Sequence, residues 1–136
     1  MSAQVDLERL AGALGNYSFA YLITVNDDWR VRAVEVEPVF DGRLLDIGPI
    51  GGHTRENLSR LGTATLVWPP RHPGDYSLIV DADTETAVDA DAVTPVRMVP
   101  TRALLHRPLA GDEPTCASRH AYDCVVFKAS PSSTSY

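Results

Sequence analysis

The sequence predicts a mainly β protein, a small antiparallel β-barrel with short helices. Three observations predict it. Short segments rich in β-branched and aromatic residues recur along the chain, and several alternate apolar with polar positions. Turn signals separate these segments at hairpin distance, Asn26-Asp27-Asp28 and Asp41-Gly42 foremost. Only two stretches carry helical spacing. The 136 residues fit one domain, 1–136, with one core. Strands spaced this closely close into a barrel or sandwich, which hides edges that would otherwise pair with other chains.

In order along the chain, Val5, Leu7, Leu10, Ala11 and Leu14 have near-helical spacing and end at Gly15-Asn16, so residues 1–15 carry an N-terminal helix. Ser18 to Val25 reads as a strand. Trp29 to Phe40 is a second, with Val31 and Val36 expected on one face, Arg30, Arg32, Glu35 and Glu37 on the other, and a bulge near Ala33-Val34. Pro38, which has no amide donor, places that strand's end at an edge. Arg43 to Ile47 returns after the Asp41-Gly42 hairpin. Gly48-Pro49-Ile50-Gly51-Gly52 then breaks the sheet. His53 to Leu61 reads as a short helix with Thr54 as its N-cap and Gly62 as its stop. Further strands follow at Thr63 to Trp68, Tyr76 to Val88, Val93 to Leu105 and Tyr122 to Lys128. The Ser-rich end, 129–136, is expected to be disordered.

Composition excludes several classes. The net charge of −6 argues against a nucleic-acid binder, which needs a basic face. No segment has the roughly 20 apolar residues needed to span a bilayer, and the N-terminus lacks a signal-peptide pattern. A cytoplasmic protein with no membrane partner is therefore expected, and Cys116 and Cys124 are expected to be free thiols. Cys116, His120 and Cys124 are evenly spaced by four, but the last lies in a segment that reads as a strand and no fourth ligand is evident, so no metal site is expected. The acidic run Asp81, Asp83, Glu85, Asp89 and Asp91 reads as a solvated sheet face, and Trp68 and Tyr76 read as packing residues. No serine, histidine and aspartate arrangement is apparent from spacing, and no catalytic side chain can be named.

The informative stretch is Arg30 to Leu58, where a strand, turn and strand lead through glycines into a helix. A helix start presents free backbone amides and a positive dipole end, and Gly51 and Gly52 let an anion approach. Thr54 adds a hydroxyl, and His53, Arg55 and Arg30 or Arg32 add donors. Glycines before a helix are common, so the pattern alone leaves a plain strand-to-helix turn open.

The order of motifs resembles the pyridoxamine 5′-phosphate oxidase-like family of flavin-binding split barrels. A-Y-L-I-T-V from Ala20, N-D-D-W-R-V-R-A-V-E-V from Asn26, D-G-R-L-L-D-I-G from Asp41, T-R-E-N-L from Thr54, T-A-T-L-V-W from Thr63, Y-S-L-I-V-D-A from Tyr76 and T-R-A-L-L-H-R-P from Thr101 carry it, over roughly Tyr17 to Pro108. The resemblance implies a six-stranded antiparallel Greek-key split barrel of the FMN-binding type that forms a homodimer with cofactor sites at its seam. It implies FMN as cofactor, with a deazaflavin or no cofactor as alternatives. The ring would lie along Arg32, Ala33, Val34, Ile47 and Gly48, and the phosphate near Gly52, His53, Thr54 and Arg55. A small-molecule substrate would enter beside the Pro69 to Asp75 loop. Trp29 stands where the family commonly has a turn glycine. Thr54 stands where it has a basic residue, with Arg55 one position later. The substrate motif of the true oxidase is absent. The implied function is a flavin- or deazaflavin-dependent oxidoreductase acting on a substrate other than pyridoxamine phosphate. The alternative is a cofactor-free or cofactor-storing binding protein.

Overall fold

The computed structural model describes residues 2–4, 7–108 and 122–128. Its elements are strand β1 (Ser2–Gln4), helix α1 (Leu7–Leu14), strands β2 (Ala20–Val25), β3 (Val31–Val36), β4 (Val39–Phe40) and β5 (Leu45–Asp46), helix α2 (Gly52–Arg60), and strands β6 (Thr63–Trp68), β7 (Ser77–Thr84), β8 (Arg97–Pro108) and β9 (Tyr122–Lys128). The main path of the sheet runs β1-β9-β8-β7-β6-β2-β3, and the β4–β5 hairpin joins it through β8. All pairings are antiparallel except β1 with β9. The sheet curls into the half-barrel of a split-barrel fold, as expected. The stretch 1–15 is not one helix, since a strand precedes α1. The tail 129–136 and the positions Cys116 and His120 lie outside the described residues.

Alternation builds the core. Ala20 and Leu22 of β2, Leu66 and Trp68 of β6, Leu78, Val80 and Ala82 of β7, and Met98 and Ala103 of β8 all point inward and are buried. Leu10 of α1 and Leu58 of α2 join the same core. Each large buried side chain contributes roughly 1.5–3 kcal/mol relative to exposure. Trp68 is a core residue, as its packing role predicts. Tyr76 carries the Arg107 guanidinium 4.8 Å above its ring.

Three local expectations are corrected. First, β2 and β3 pair without interruption from Ala20↔Val36 to Val25↔Val31, so there is no bulge at Ala33-Val34. Arg32 and Val34 therefore share the inner face with Val36, and Val31 is 65% exposed. The register is set by Ala20 and Leu22, whose burial leaves β3 no freedom to turn over. Second, the irregularity lies between β7 and β8, where the register passes from Asp81↔Arg102 to Ala82↔Pro100. Thr101 is the extra residue, next to a proline that cannot donate, and its hydroxyl donates to the Asp81 carbonyl. Third, α2 begins at Gly52 with Gly51 as N-cap, not at Thr54. The helix does stop before Gly62, at Arg60 with Leu61 as C-cap, and Gly62 also serves a close approach, because a Cβ there would lie 2.9 Å from Thr84 Oγ1.

The hairpin turns use different chemistry. Asp41 accepts from the amides of Arg43 and Leu44, and those two bonds, led by Leu44, hold its carboxyl below the ordinary range. In the β2–β3 turn the Asn26 amide donates to the Arg30 carbonyl, and Trp29 adopts φ 70°. A left-handed conformation costs a bulky residue roughly 1 kcal/mol or more, and Trp29 is 78% exposed, so little packing offsets it. Trp29→Asn, which tolerates this conformation, is expected to raise stability by about 1 kcal/mol, or roughly 3 °C in melting temperature. An unchanged or lower melting temperature would mean that Trp29 makes a stabilising contact that offsets the strain.

Candidate functional site

The loop after β5 and the start of α2 form one wall of an open cleft of about 730 Å³, and residues 90–95 form the other. Asp46, Gly48, Pro49, Ile50, Gly52 and Arg55 line the first wall. Asp46 Oδ1 accepts from the Gly48 amide and so folds this loop back on itself. At the start of α2 no side chain among the described residues caps the helix. The first helical hydrogen bond is made by the Arg55 amide to the Gly51 carbonyl. The amides of Gly52, His53 and Thr54 precede it, with no partner among the described residues, and the positive end of the helix dipole adds to them. A Cβ on Gly51 or Gly52 would meet nothing within 4 Å, so there is room against the backbone.

Arg55 is 7% exposed. Its Nε and Nη2 donate to the Asp89 carbonyl at 3.3 and 3.2 Å, and its Nη1 donates to the Thr94 carbonyl at 2.8 Å. It forms no ion pair with a carboxylate among the described residues. The guanidinium therefore ties both ends of the 89–94 segment to α2 and leaves a buried positive charge beside the cleft. Two of its five N–H donors remain. Arg55 also lines a second hollow of about 350 Å³ that includes Glu85, Asp89, Thr94 and Arg97.

On the opposite side of α2, Asn57 is buried. Its Nδ2 donates to Thr24 Oγ1 at 3.0 Å and Asn26 Oδ1 at 2.8 Å. Its Oδ1 accepts from Arg60, which also donates to the Val25 carbonyl. This network fixes α2 to the end of β2 and thereby aims its start at the cleft. Next to Thr24 across the sheet lies Arg32, whose Nε is buried without a hydrogen-bond partner among the described residues.

The nine residues expected at a cofactor site thus fall into four groups. Gly48, Gly52 and Arg55 come together at the cleft. Ile47 and Thr54 are each 1% exposed, Ile47 as part of the hydrophobic core and Thr54 as a buried polar residue. His53 is exposed and stands 3.9 Å from Glu56. Arg32 and Val34 lie on the inner face of β3, with Ala33 on the outer face. Spacing alone missed the second wall, Asp89 to Pro95, because its contacts to Arg55 span 34 and 39 residues. The signal available was the Asp89-Ala90-Asp91 turn, where the Asp91 amide donates to Asp89 Oδ1. The Pro69 to Asp75 loop lies at the other end of β7 and does not border this cleft. Among the described residues no group of histidine, cysteine, aspartate and glutamate side chains could hold a metal, and no helix is long and apolar enough to cross a membrane.

No family model matches the chain. It is 50% identical over 135 residues to an uncharacterized protein of Mycobacterium bovis, covering 91% of this chain and 95% of that one. An uncharacterized protein of Mycobacterium tuberculosis matches with the same values. Among solved structures, one described as an F420 reductase has a TM-score of 0.54 at 16% identity, covering 68% of this chain and 93% of the other. A Listeria innocua protein of the pyridoxamine 5′-phosphate oxidase type has a TM-score of 0.58 at 15% identity, covering 73% of this chain and 96% of the other.

Proposed function

Because this chain belongs to one family with the two mycobacterial proteins and has the split-barrel fold of pyridoxamine 5′-phosphate oxidase-like proteins, we propose that it binds a flavin-type cofactor, FMN or a deazaflavin, and serves as an oxidoreductase. The observation that carries this reading is the uncapped start of α2 opening on a cleft beside the buried charge of Arg55. These features fit a phosphate: backbone amides, a helix dipole, a nearby cation and glycines without Cβ atoms. The cofactor, when bound, supplies hydride transfer. The chain's own part is binding and orientation. The amides of Gly52 and His53 would hold the anionic end, Arg55 would neutralise it from behind while keeping the 89–94 wall in place, and the Gly48 loop would shape the floor.

A homodimer in the cytoplasm is part of the proposal. The outer face of the sheet carries Tyr21, Val67, Ile79 and Leu104 in one cross-strand row, with Ile23 and Ala33 beside it. Tyr21 and Val31 are exposed. Such an apolar patch favours a self-complementary contact. That contact would place a partner against the outer face of β2 and β3, where Tyr21, Val31 and Ala33 are exposed.

Titration of the purified protein with FMN and with a deazaflavin, followed by cofactor fluorescence, tests the reading. Saturable binding of one of them by a species of twice the chain mass is expected. Uptake of neither would favour the alternative, a cofactor-free binding protein, to which the use of the Arg55 donors on backbone carbonyls also points.

A further inference from the structure

At the other end of β7 from the cleft at α2, a separate hollow of about 510 Å³ lies between the α1–β2 corner and the loop before β7. β7 has eight residues, which at about 3.3 Å each separates the two sites by roughly 25 Å. Ala13, Pro70 and Leu105 give the hollow an apolar floor. Its polar groups are Asn16, Tyr17, Arg71, His72 and Asp75.

The loop carrying these groups is held in one shape. The Asp75 amide donates to the His72 carbonyl at 3.2 Å across Pro73 and Gly74, with Gly74 at φ 89°. Proline at the second position and a positive-φ glycine at the third define a type II turn, which brings its first and fourth residues within about 7 Å. His72 and Asp75 therefore stand at the two ends of a rigid turn, with Arg71 beside His72. From the other wall, Tyr17 Oη donates to the Tyr76 carbonyl at 3.0 Å and braces the residue next to Asp75. That bond uses the only phenol proton, so what Tyr17 has left to offer at the hollow it lines is an acceptor. Burial first, and the Asp75 charge second, push the Tyr17 hydroxyl above its ordinary range, which keeps it neutral.

Arg71 and Asp75 line the same hollow with opposite charges, yet they do not pair. Among the described residues neither the guanidinium nor the carboxylate has a hydrogen bond or an ion pair. A ligand with a single charge would satisfy one of them and face the other. A ligand carrying both charges satisfies both.

We infer that this hollow binds a small zwitterion of the free amino acid class. The ammonium would lie between the Asp75 carboxylate and Tyr17 Oη, the carboxylate toward Arg71, His72 and the Asn16 amide, and an apolar side chain on Ala13, Pro70 and Leu105. The inference does not rest on the flavin reading, because the two sites share no residue.

The test uses the full chain and the standard amino acids, added one at a time and followed by amide chemical shifts and by calorimetry. At least one is expected to bind saturably and to shift the amides of Gly74, Asp75 and Tyr76. Removing either charge from that amino acid, as its amide or its N-acetyl derivative, should weaken binding about tenfold or more, the effect of losing one charge-assisted bond. Asp75→Asn should erase the preference over the N-acetyl form, and Arg71→Gln the preference over the amide. Both substitutions lie in an exposed loop outside the core. Absence of saturable binding by every amino acid overturns the inference. So does equal binding of the blocked forms, or shifts confined to the α2 cleft.

Discussion

Arg55→Ala is expected to release the 89–94 segment from α2 and to lower stability by about 3 kcal/mol, roughly 10 °C in melting temperature. The reasoning starts from the buried charge. A guanidinium removed from water without a carboxylate is tolerated only when its donors are satisfied, and here three bonds to two carbonyls satisfy them. Charge-assisted bonds are worth about 1.5–3 kcal/mol each. Removing the desolvated charge returns part of that, so the net loss is nearer to two bonds than to three. The local effect should exceed the global one. Glu85 to Ala87, Asp89 and Asp91 are exposed, and so are Val93 to Pro95. Beyond the turn at Asp89, this segment is tied to the rest of the chain by the Glu85 amide to the Arg97 carbonyl, by the Glu85 carboxylate to Arg43, by Val88 packed against the core and by the Arg55 clamp. Hydrogen exchange across 89–94 should become fast while exchange in β6 and β7 stays slow. Arg55→Lys should rescue little, since one ammonium cannot span the Asp89 and Thr94 carbonyls as the planar fork does. Flavin affinity, under the reading proposed above, should fall at least about tenfold in both variants. A variant that melts within about 1 °C of the parent, with 89–94 still protected, would remove the clamp from the account.

The Arg55 case also marks where sequence reading stops. Local pattern carried the strands. The alternation in A-Y-L-I-T-V and T-A-T-L-V-W places Leu22 and Leu66 in the core with no need of a partner strand's identity. Pattern misplaced the β3 face because Ala33 and Val34 are both apolar, so either parity looked acceptable until Ala20 and Leu22 fixed the register. It misplaced the helix start because a hydroxyl at Thr54 is the stronger statistical cap, whereas the chain reaches extended geometry at Gly51 and buries Thr54 instead. The glycine loop and the positive helix end were legible, since they are local. The partners of Arg55 were not, because a turn more than thirty residues away supplies them and no spacing rule connects the two. The same holds for the hollow at Asp75. It was legible only as the Pro69 to Asp75 loop, and Tyr17, which braces it, bonds to it across 59 residues of sequence.

Asn57→Ala is the second large effect, expected to cost about 3 kcal/mol. Asn57 is buried at the contact between α2 and the end of β2, and its amide nitrogen donates to both Thr24 and Asn26. Truncation leaves Thr24 Oγ1, itself on a residue 2% exposed, and Asn26 Oδ1 without their donor, and each such loss costs about 1–3 kcal/mol. It also opens a small cavity in a contact that Leu58 seals from the core side. Asn57→Leu restores the volume but not the donors, so it should recover at most about 1 kcal/mol. Thr24→Val alone should cost less, because the Asn57 amide keeps its bond to Asn26. The double variant Thr24→Val, Asn57→Ala should then be less destabilised than the sum of the singles, by about 1 kcal/mol, as befits groups that share one bond. Additive losses would mean that the two residues act independently. In that case the Thr24 bond would add nothing to the hold of α2 on the sheet, and the aim of its amide end into the cleft would rest on Leu58 packing and on the remaining bonds to Asn26 and the Val25 carbonyl.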